Sequence, residues 1–291
     1  MKTDRGLTVE RMVKLAGVSR ASFYRFDDNA EPAPDRDMDL RDALQRIALE
    51  WPSYGRPRIT AELRRRGWKV NPKRVHRILR EDNLLCVRRR NFIVTTTDSS
   101  HGRKIYPNRA RTMMLTDVDQ LWVADITYIR LSEEFVFLAV ILDACSRRVI
   151  GWALDRTLEN KLTLAALEMA LSRRVVQPGL VHHSDRGTQY ASGDYTDRLK
   201  ESGIEISMSR KANPWDNAAC ESFMKTLKYE EVLRNEYRDL REARSSISQF
   251  LEKVYNEKRL HSALGYLTPA EYEANLAAGH NKEAASRQLT V

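Results

Sequence analysis

Apolar positions recur with helical spacing through the first third of the chain and with strand spacing from residue 120 onward, so the pattern alone predicts an all-α front and an α/β back. Val9, Met12, Val13 and Leu15 mark one short amphipathic helix, Gly17 interrupts it, and Ser19 stands where a second helix would be capped. This predicts a helix-turn-helix over residues 8–26, whose second helix presents Arg20, Ser22 and Arg25 as recognition residues; an ordinary helical hairpin has the same pattern. An acidic, proline-containing stretch over 27–39 leads to a second unit. There the helical period resumes over 40–49 and again over 59–66, turns at Gly67, and restarts with Asn71 as N-cap and Pro72 at the first helical position, running through Arg80. Lys73, Arg74 and Arg77 fall on the exposed side of that last helix, and Arg88, Arg89 and Arg90 extend its basic character.

Beyond this region the chain is polar, basic and without period, which reads as a linker over 98–114. Short β-rich runs follow at 121–131, 135–142 and 149–154, joined by brief turns, which predicts an antiparallel meander. A helix over 158–174 ends before Pro178-Gly179; then come a short buried strand at 180–183, a helix over 190–200, a strand at 204–208 and a helix over 217–233. Three meander strands followed by alternating helix and strand make an α/β sandwich. The expected organisation is a helix-turn-helix at 1–28, a second such region at 29–97, the linker, a core domain at 115–275 and a flexible tail at 276–291.

Charge sharpens the division. Residues 1–112 carry 26 Lys/Arg against 14 Asp/Glu, net +12, whereas 113–291 carry 23 against 26, net −3. All of the overall +9 therefore resides in the front part, which points to a polyanion partner there, double-stranded DNA being the obvious one. A solvated basic face is the bland alternative. With 42% hydrophobic residues, no apolar run near membrane-spanning length and no signal-peptide stretch in the first 30 residues, the expectation is a cytoplasmic protein without membrane contact. Cys86, Cys145 and Cys220 are odd in number and far apart, which argues against a disulfide framework or a thiolate zinc site.

Three acids carry the candidate chemistry. Asp125 interrupts an apolar strand in Trp122-Val-Ala-Asp-Ile-Thr-Tyr, Asp185 follows another in His182-His-Ser-Asp-Arg-Gly, and Glu221 opens a helical pattern, with 35 residues between the last two. A carboxylate in such surroundings loses solvation and calls for a cation. Oxygen ligands suit Mg²⁺, and a pair of such ions can assist an in-line displacement at phosphorus. Lys225 and Lys228 follow Glu221 at i+4 and i+7 and share its helix face. By residue type alone, Asp143, Asp155 and Asp216 compete as ligands, although turn caps are the commoner use of Asp in such places. His182 and His183 point to opposite faces of a strand and so do not share a metal easily; Ser184-Asp185 lacks the glycines of a nucleophile elbow.

At these residues the chain resembles the integrase-type DDE transposases, specifically the second-frame product of the insertion-sequence-three family, relatives of retroviral integrases. The resemblance rests on Trp122-Val-Ala-Asp-Ile-Thr-Tyr, Leu142-Asp-Ala-Cys-Ser-Arg-Arg-Val-Ile-Gly-Trp, His183-Ser-Asp-Arg-Gly-Thr-Gln-Tyr, residues 209–222, and Tyr255-Asn-Glu-Lys-Arg-Leu-His-Ser-Ala-Leu-Gly-Tyr-Leu-Thr-Pro. Residues 54–84 also resemble the helix-turn-helix that precedes the core in that family. It implies a ribonuclease-H-like catalytic core, a five-stranded mixed sheet with flanking helices, behind an all-α DNA-binding region. It also implies Asp125, Asp185 and Glu221 as catalytic metal ligands, and it selects Glu221 over Asp216.

The implied activity is metal-dependent cleavage of transposon ends and transfer of the freed 3′-hydroxyl to a target phosphodiester, with two Mg²⁺ or Mn²⁺ ions. Lys225 and Lys228 would hold phosphates of the transposon end, and Arg186 would pair with a carboxylate or phosphate. Asn217 is expected to cap its helix, and Thr268 with Glu271 to form a capping box. Arg259 and His261 match a family motif without a role that follows from it. Retroviral integrases carry a His/Cys zinc module that has no counterpart here, and no heptad run appears. The family's complete enzyme is usually a fusion with an upstream-frame product, so the alternative is a DNA-binding regulatory partner without autonomous transfer. Cutting two ends implies at least a dimer on DNA.

Overall fold

The computed structural model describes residues 8–25, 36–86, 103–210 and 217–288. Arg88, Arg89, Arg90 and Asp216 lie outside them. The chain divides into two compact units, residues 1–46 and 47–291, with the division inside a helix.

In the first unit, α1 spans Val9–Ala16 and α2 spans Arg20–Arg25. Gly17 ends α1 at φ 64°, a left-handed backbone that only glycine adopts without cost, and its N–H closes on Val13 O. The Ser19 hydroxyl accepts from Ser22 N at 3.0 Å, the cap expected from sequence. No side chain of either helix is fully buried, and Arg20 and Arg25 are exposed. The third helix, α3 (Met38–Glu50), crosses the division.

The second unit begins with the helix pair α4 (Arg56–Arg65) and α5 (Pro72–Glu81), turned at Gly67 and closed over Ile59, Leu63, Val75, Ile78 and Leu79. Asn71 Oδ1 accepts from Lys73 N at 2.8 Å, so the predicted cap and the proline at N1 both hold. The pair is fixed to the C-terminal part of the unit. Tyr54 OH accepts from Leu260 N, Arg58 Nε donates to Leu260 O, and Arg65 pairs with Glu271.

Five strands form one sheet in the order β3-β2-β1-β4-β5. β1 (Leu121–Arg130), β2 (Phe135–Asp143) and β3 (Val149–Asp155) make the antiparallel meander. The chain then crosses through α6 (Asn160–Arg173) to β4 (Val181–Ser184), and through α7 (Gly193–Glu201) to β5 (Glu205–Met208). Both are parallel to their neighbours. On one face Trp122, Ala124 and Ile141 pack with Leu162, Ala166 and Leu199 of α6 and α7. The other face buries Val123, Leu138 and Val140 under α8 (Ala218–Glu230), α9 (Leu240–Gln249) and the π-helical turn Phe250–Tyr255. Alternate residues of β1 therefore serve opposite cores. This is the five-stranded ribonuclease-H-like arrangement with flanking helices.

Boundaries shift where local chemistry intervenes. α7 starts at Gly193, because Ser192 Oγ accepts from Tyr195 N and so takes the cap. The described part of the expected linker is docked: Arg109 pairs with Glu205, its N–H donates to Ser207 Oγ, and Ala110 and Met113 pack on the core. Residues 276–288 of the expected tail continue α10, which runs Pro269–Gln288, a stretch rich in Ala, Glu and other good helix formers. The Thr268–Glu271 capping box at its start makes both reciprocal bonds. Among the described residues no helix is long and apolar enough to cross a membrane, and no disulfide joins Cys86, Cys145 or Cys220.

Candidate active site

β1 is ten residues long, but its pairing with β4 covers only Leu121 to Val123, opposite Val181 to His183. Continuing that register by two residues sets Asp125 beside Asp185. β4 ends at Ser184, so from Asp125 onward the edge of β1 toward β4 opens into a cavity of about 590 Å³ lined by both aspartates, Tyr128, Phe137 and Gln189. This is the point where the chain leaves β1 for β2 on one side and reaches β4 by crossover on the other, the usual place for a ligand in an open α/β sheet. Asp125 shares its strand face with Val123, which puts it on the side of the sheet covered by α8.

Burial pushes the Asp125 carboxyl up to about 7, and the Asp185 charge adds to that; the Ile126 N–H, 2.8 Å from Oδ1, works against it. Glu221 raises it further and Lys228 lowers it, both by smaller amounts. Asp185 is oriented by its own turn: Gly187 N donates to Oδ1 at 2.9 Å. A Cβ on Gly187 would sit 3.0 Å from that oxygen, a tight contact that the carboxylate would have to relieve by shifting.

Glu221 lies in the first turn of α8 and is half-buried, but it is not among the residues lining the aspartate cavity. Among the described residues no three His, Cys, Asp or Glu side chains are gathered closely enough to hold a metal. What the structure brings together is thus an aspartate pair, with Glu221 acting on it through its charge. The donor set fits a hard divalent cation, which takes one or two carboxylates and fills its other positions with water or phosphate oxygens. Like charge held at one cavity is what such an ion relieves.

The two lysines of α8 have different surroundings. Lys228 Nζ lies over the Tyr128 ring at 4.9 Å, at the aspartate cavity, whereas Lys225 is exposed and lines a separate cleft of about 740 Å³. Arg186 Nε donates to Ser209 O at 2.7 Å, tying the two strand-end loops together. Lys73, Arg74 and Arg77 are exposed on α5, with Arg77 paired to Glu81.

Asn217 does not cap α8. Its side chain is buried and Nδ2 donates to Ala124 O at 3.1 Å, so it anchors the helix to β1 beside Asp125. No sequence pattern distinguishes that use from a cap; both need an Asn at the helix start. Gly187 did leave a signal, since Asp-x-Gly after a strand marks an aspartate bonding its own turn.

The competing groups among the described residues are accounted for. Asp143 accepts from Asp119 N and Ser146 N, both at 2.7 Å, and Asp155 from Thr157 N, so each serves a turn. His182 bonds Tyr195 OH and His183 bonds Ser207 Oγ.

Known proteins resemble the chain over most of its length. A family model described as an integrase core domain matches residues 116–214, a second integrase core domain model matches 202–269, and an HTH-like domain matches 35–92. The insertion element IS600 uncharacterized 31 kDa protein of Shigella sonnei is 37% identical over 265 residues, covering 90% of this chain and 97% of the relative. Transposase InsF for insertion sequence IS3A of Escherichia coli (strain K12) is 37% identical over 277 residues, covering 93% and 96%. Among solved structures, the HTLV-2 integrase catalytic core domain in complex with magnesium covers 54% of this chain and 98% of its own, at 17% identity and a TM-score of 0.41. By the length and identity of its match to these insertion-sequence proteins, the chain belongs to the integrase-core transposases of the insertion-sequence-three family.

Proposed function

We propose that the chain cleaves transposon ends in double-stranded DNA and joins the freed 3′-hydroxyl to a target phosphodiester, using Asp125, Asp185 and Glu221 as catalytic acids. The observation that carries the reading is the aspartate pair, which two adjacent parallel strands deliver to one open cavity. The acids would hold Mg²⁺ or Mn²⁺, as a pair of ions in the working complex, and a bound ion supplies Lewis-acid activation at phosphorus and at the attacking oxygen.

The chain's own groups do the positioning. The Gly187 N–H sets the Asp185 carboxylate, Asn217 pins α8 and with it Glu221 to β1, and Lys228 places positive charge where phosphate approaches. Arg20, Arg25, Lys73, Arg74, Arg77, Arg186 and Lys225 are the proposed DNA contacts. They act on phosphates, which fix register without reading sequence. Cutting two ends calls for at least two copies on DNA.

The test uses a labelled duplex carrying the DNA that flanks the gene's element, with Mg²⁺, comparing wild type and Asp185→Asn. Metal-dependent nicking and joined product from wild type alone are expected. Binding without either product, which reappears only when an upstream-frame protein is added, would instead favour the regulatory-partner reading. Gly187→Ala is expected to fold normally, because the added Cβ meets only side-chain ends. By displacing the Asp185 carboxylate it should lower activity by about 10- to 100-fold, the cost typical of a lost ligand-orienting group. Wild-type rates in that variant would remove Gly187 from the site.

A further inference from the structure

A second cavity, of about 220 Å³, opens at the N-terminal turns of α8, where Ala218 and Ser222 form one wall. Arg58, Arg147 and Arg259 line it together with His261, although they come from three distant parts of the chain. Two of the three guanidiniums are engaged: Glu230 holds Arg259 through two bonds of 2.7 Å, and Arg58 donates to Leu260 O. Arg147 makes no hydrogen bond or ion pair among the described residues, and its backbone sits at φ 63°. That left-handed backbone belongs to the β2–β3 turn, which Asp143 closes through the N–H of Ser146 and the carbonyl of Arg148.

His261 is 91% buried, and its Nε2 has no hydrogen-bond partner. Burial and the charges of Arg259, Arg58 and Arg147 push its imidazole down to about 3, so the ring is neutral and offers one N–H. Three cations, a neutral donor and a helix N-terminus around one small space form a site for an anion, and guanidinium forks match phosphate oxygens.

The surroundings select the kind of anion. Arg58, Ser222, Thr226 and Arg259 also line the 740 Å³ cleft that contains Lys225 and Arg234. Positive groups therefore continue from the small cavity past Lys225, one helical turn beyond Glu221, which suits a chain of phosphates better than a single ion.

We propose that this cavity binds a backbone phosphate of the DNA substrate, with Arg147 as the group that engages it and Arg58, Arg259 and the start of α8 as its frame. The assignment of DNA rests on the transposase reading above.

The test is binding of the full chain to a labelled random-sequence duplex in EDTA over a salt series. Arg147→Gly is expected to weaken binding about tenfold and to lower the slope of log K against log salt by about 1, the loss of one phosphate contact, whereas Arg147→Lys keeps the slope. Glycine adopts the left-handed backbone freely, so its melting temperature should not fall below that of wild type. Arg147→Asn serves as a second replacement tolerant of that backbone. If both melt well below wild type, Arg147 is a structural residue and the proposal falls.

Equal affinity and slope in wild type and both replacements also overturn it, and leave the transferase reading standing if wild type nicks DNA in Mg²⁺. Conversely, an Arg147-dependent slope without any nicking supports the pocket and sinks the transferase reading. A parallel titration with inorganic phosphate separates the sources: protection against melting that depends on Arg147, with DNA binding unchanged, would make this a free-anion site and overturn the DNA assignment.

Discussion

Asp125→Asn should abolish DNA cleavage, by about 10³-fold or more, while making the metal-free protein more stable at neutral and alkaline pH. The first effect follows from the role proposed for Asp125 as an anionic metal ligand where charge develops. The second follows from the Asp125 carboxyl, which folding raises from 3.8 to about 7 through burial and the neighbouring Asp185 charge. Because the folded value lies above the unfolded one, the folded state binds the extra proton. Its stability falls as pH rises through this window and stays low above it, whereas below the unfolded value the group makes no difference.

Asparagine removes that cost. The variant should therefore melt roughly 5 °C higher than metal-free wild type at pH 8 and together with it near pH 4, as expected for a gain of about 2 kcal/mol in a unit of this size. Mg²⁺ should raise the wild-type melting temperature and leave the variant's unchanged. A stability gap that is the same at both pH values would remove the carboxylate charge as its cause.

The second large effect is expected far from the acids. In Gly151→Ala the new Cβ would lie 2.2 Å from Ala166 O and 3.0 Å from both the Cβ and the N of Ala170, in the seam where β3 lies against α6. The nearest atom is helix backbone, so relief requires the helix to move off the sheet, opening space around Leu162, Leu167 and Ile150. We expect a loss of about 3 kcal/mol or more and a melting temperature lower by roughly 10 °C. Gly193→Ala is the control: nothing lies within 4 Å of its added Cβ, and it sits at the start of α7, where a change within about 0.5 kcal/mol is normal. Urea midpoints for the two variants that coincide would show that the seam can relax.

These two positions also show how far a sequence reading reaches. Asp125 was visible because a carboxylate inside Trp-Val-Ala-Asp-Ile is a local anomaly, and Asp185 because an Asp follows a buried strand. Their meeting required β1 to lie beside β4, an adjacency that the sequence pattern leaves open and the sheet order supplies. Gly151 carried only the general mark of a glycine within a strand, and nothing in the sequence near it identifies Ala166 as the reason. Asn217 kept its place at the start of α8 but serves β1, since a buried backbone acceptor on another element leaves no local trace. The arginine cavity was the least legible. Arg58, Arg147 and Arg259 are separated by some ninety residues or more, and only the folded chain makes them neighbours.

The unequal lengths of β1 and β4 leave a mark on the protein's protection against solvent. Leu121 to Val123 have strands on both sides, so their amides should exchange with deuterium only when the whole unit opens. From Asp125 to Arg130 the same strand is paired to β2 alone, so its alternate amides have no strand partner on the other edge. Asp125 thus stands at the border between the most and the least protected parts of a single strand. In the proposed function, such a boundary would let a nucleic-acid strand be admitted on one side while the other side keeps the acid from shifting.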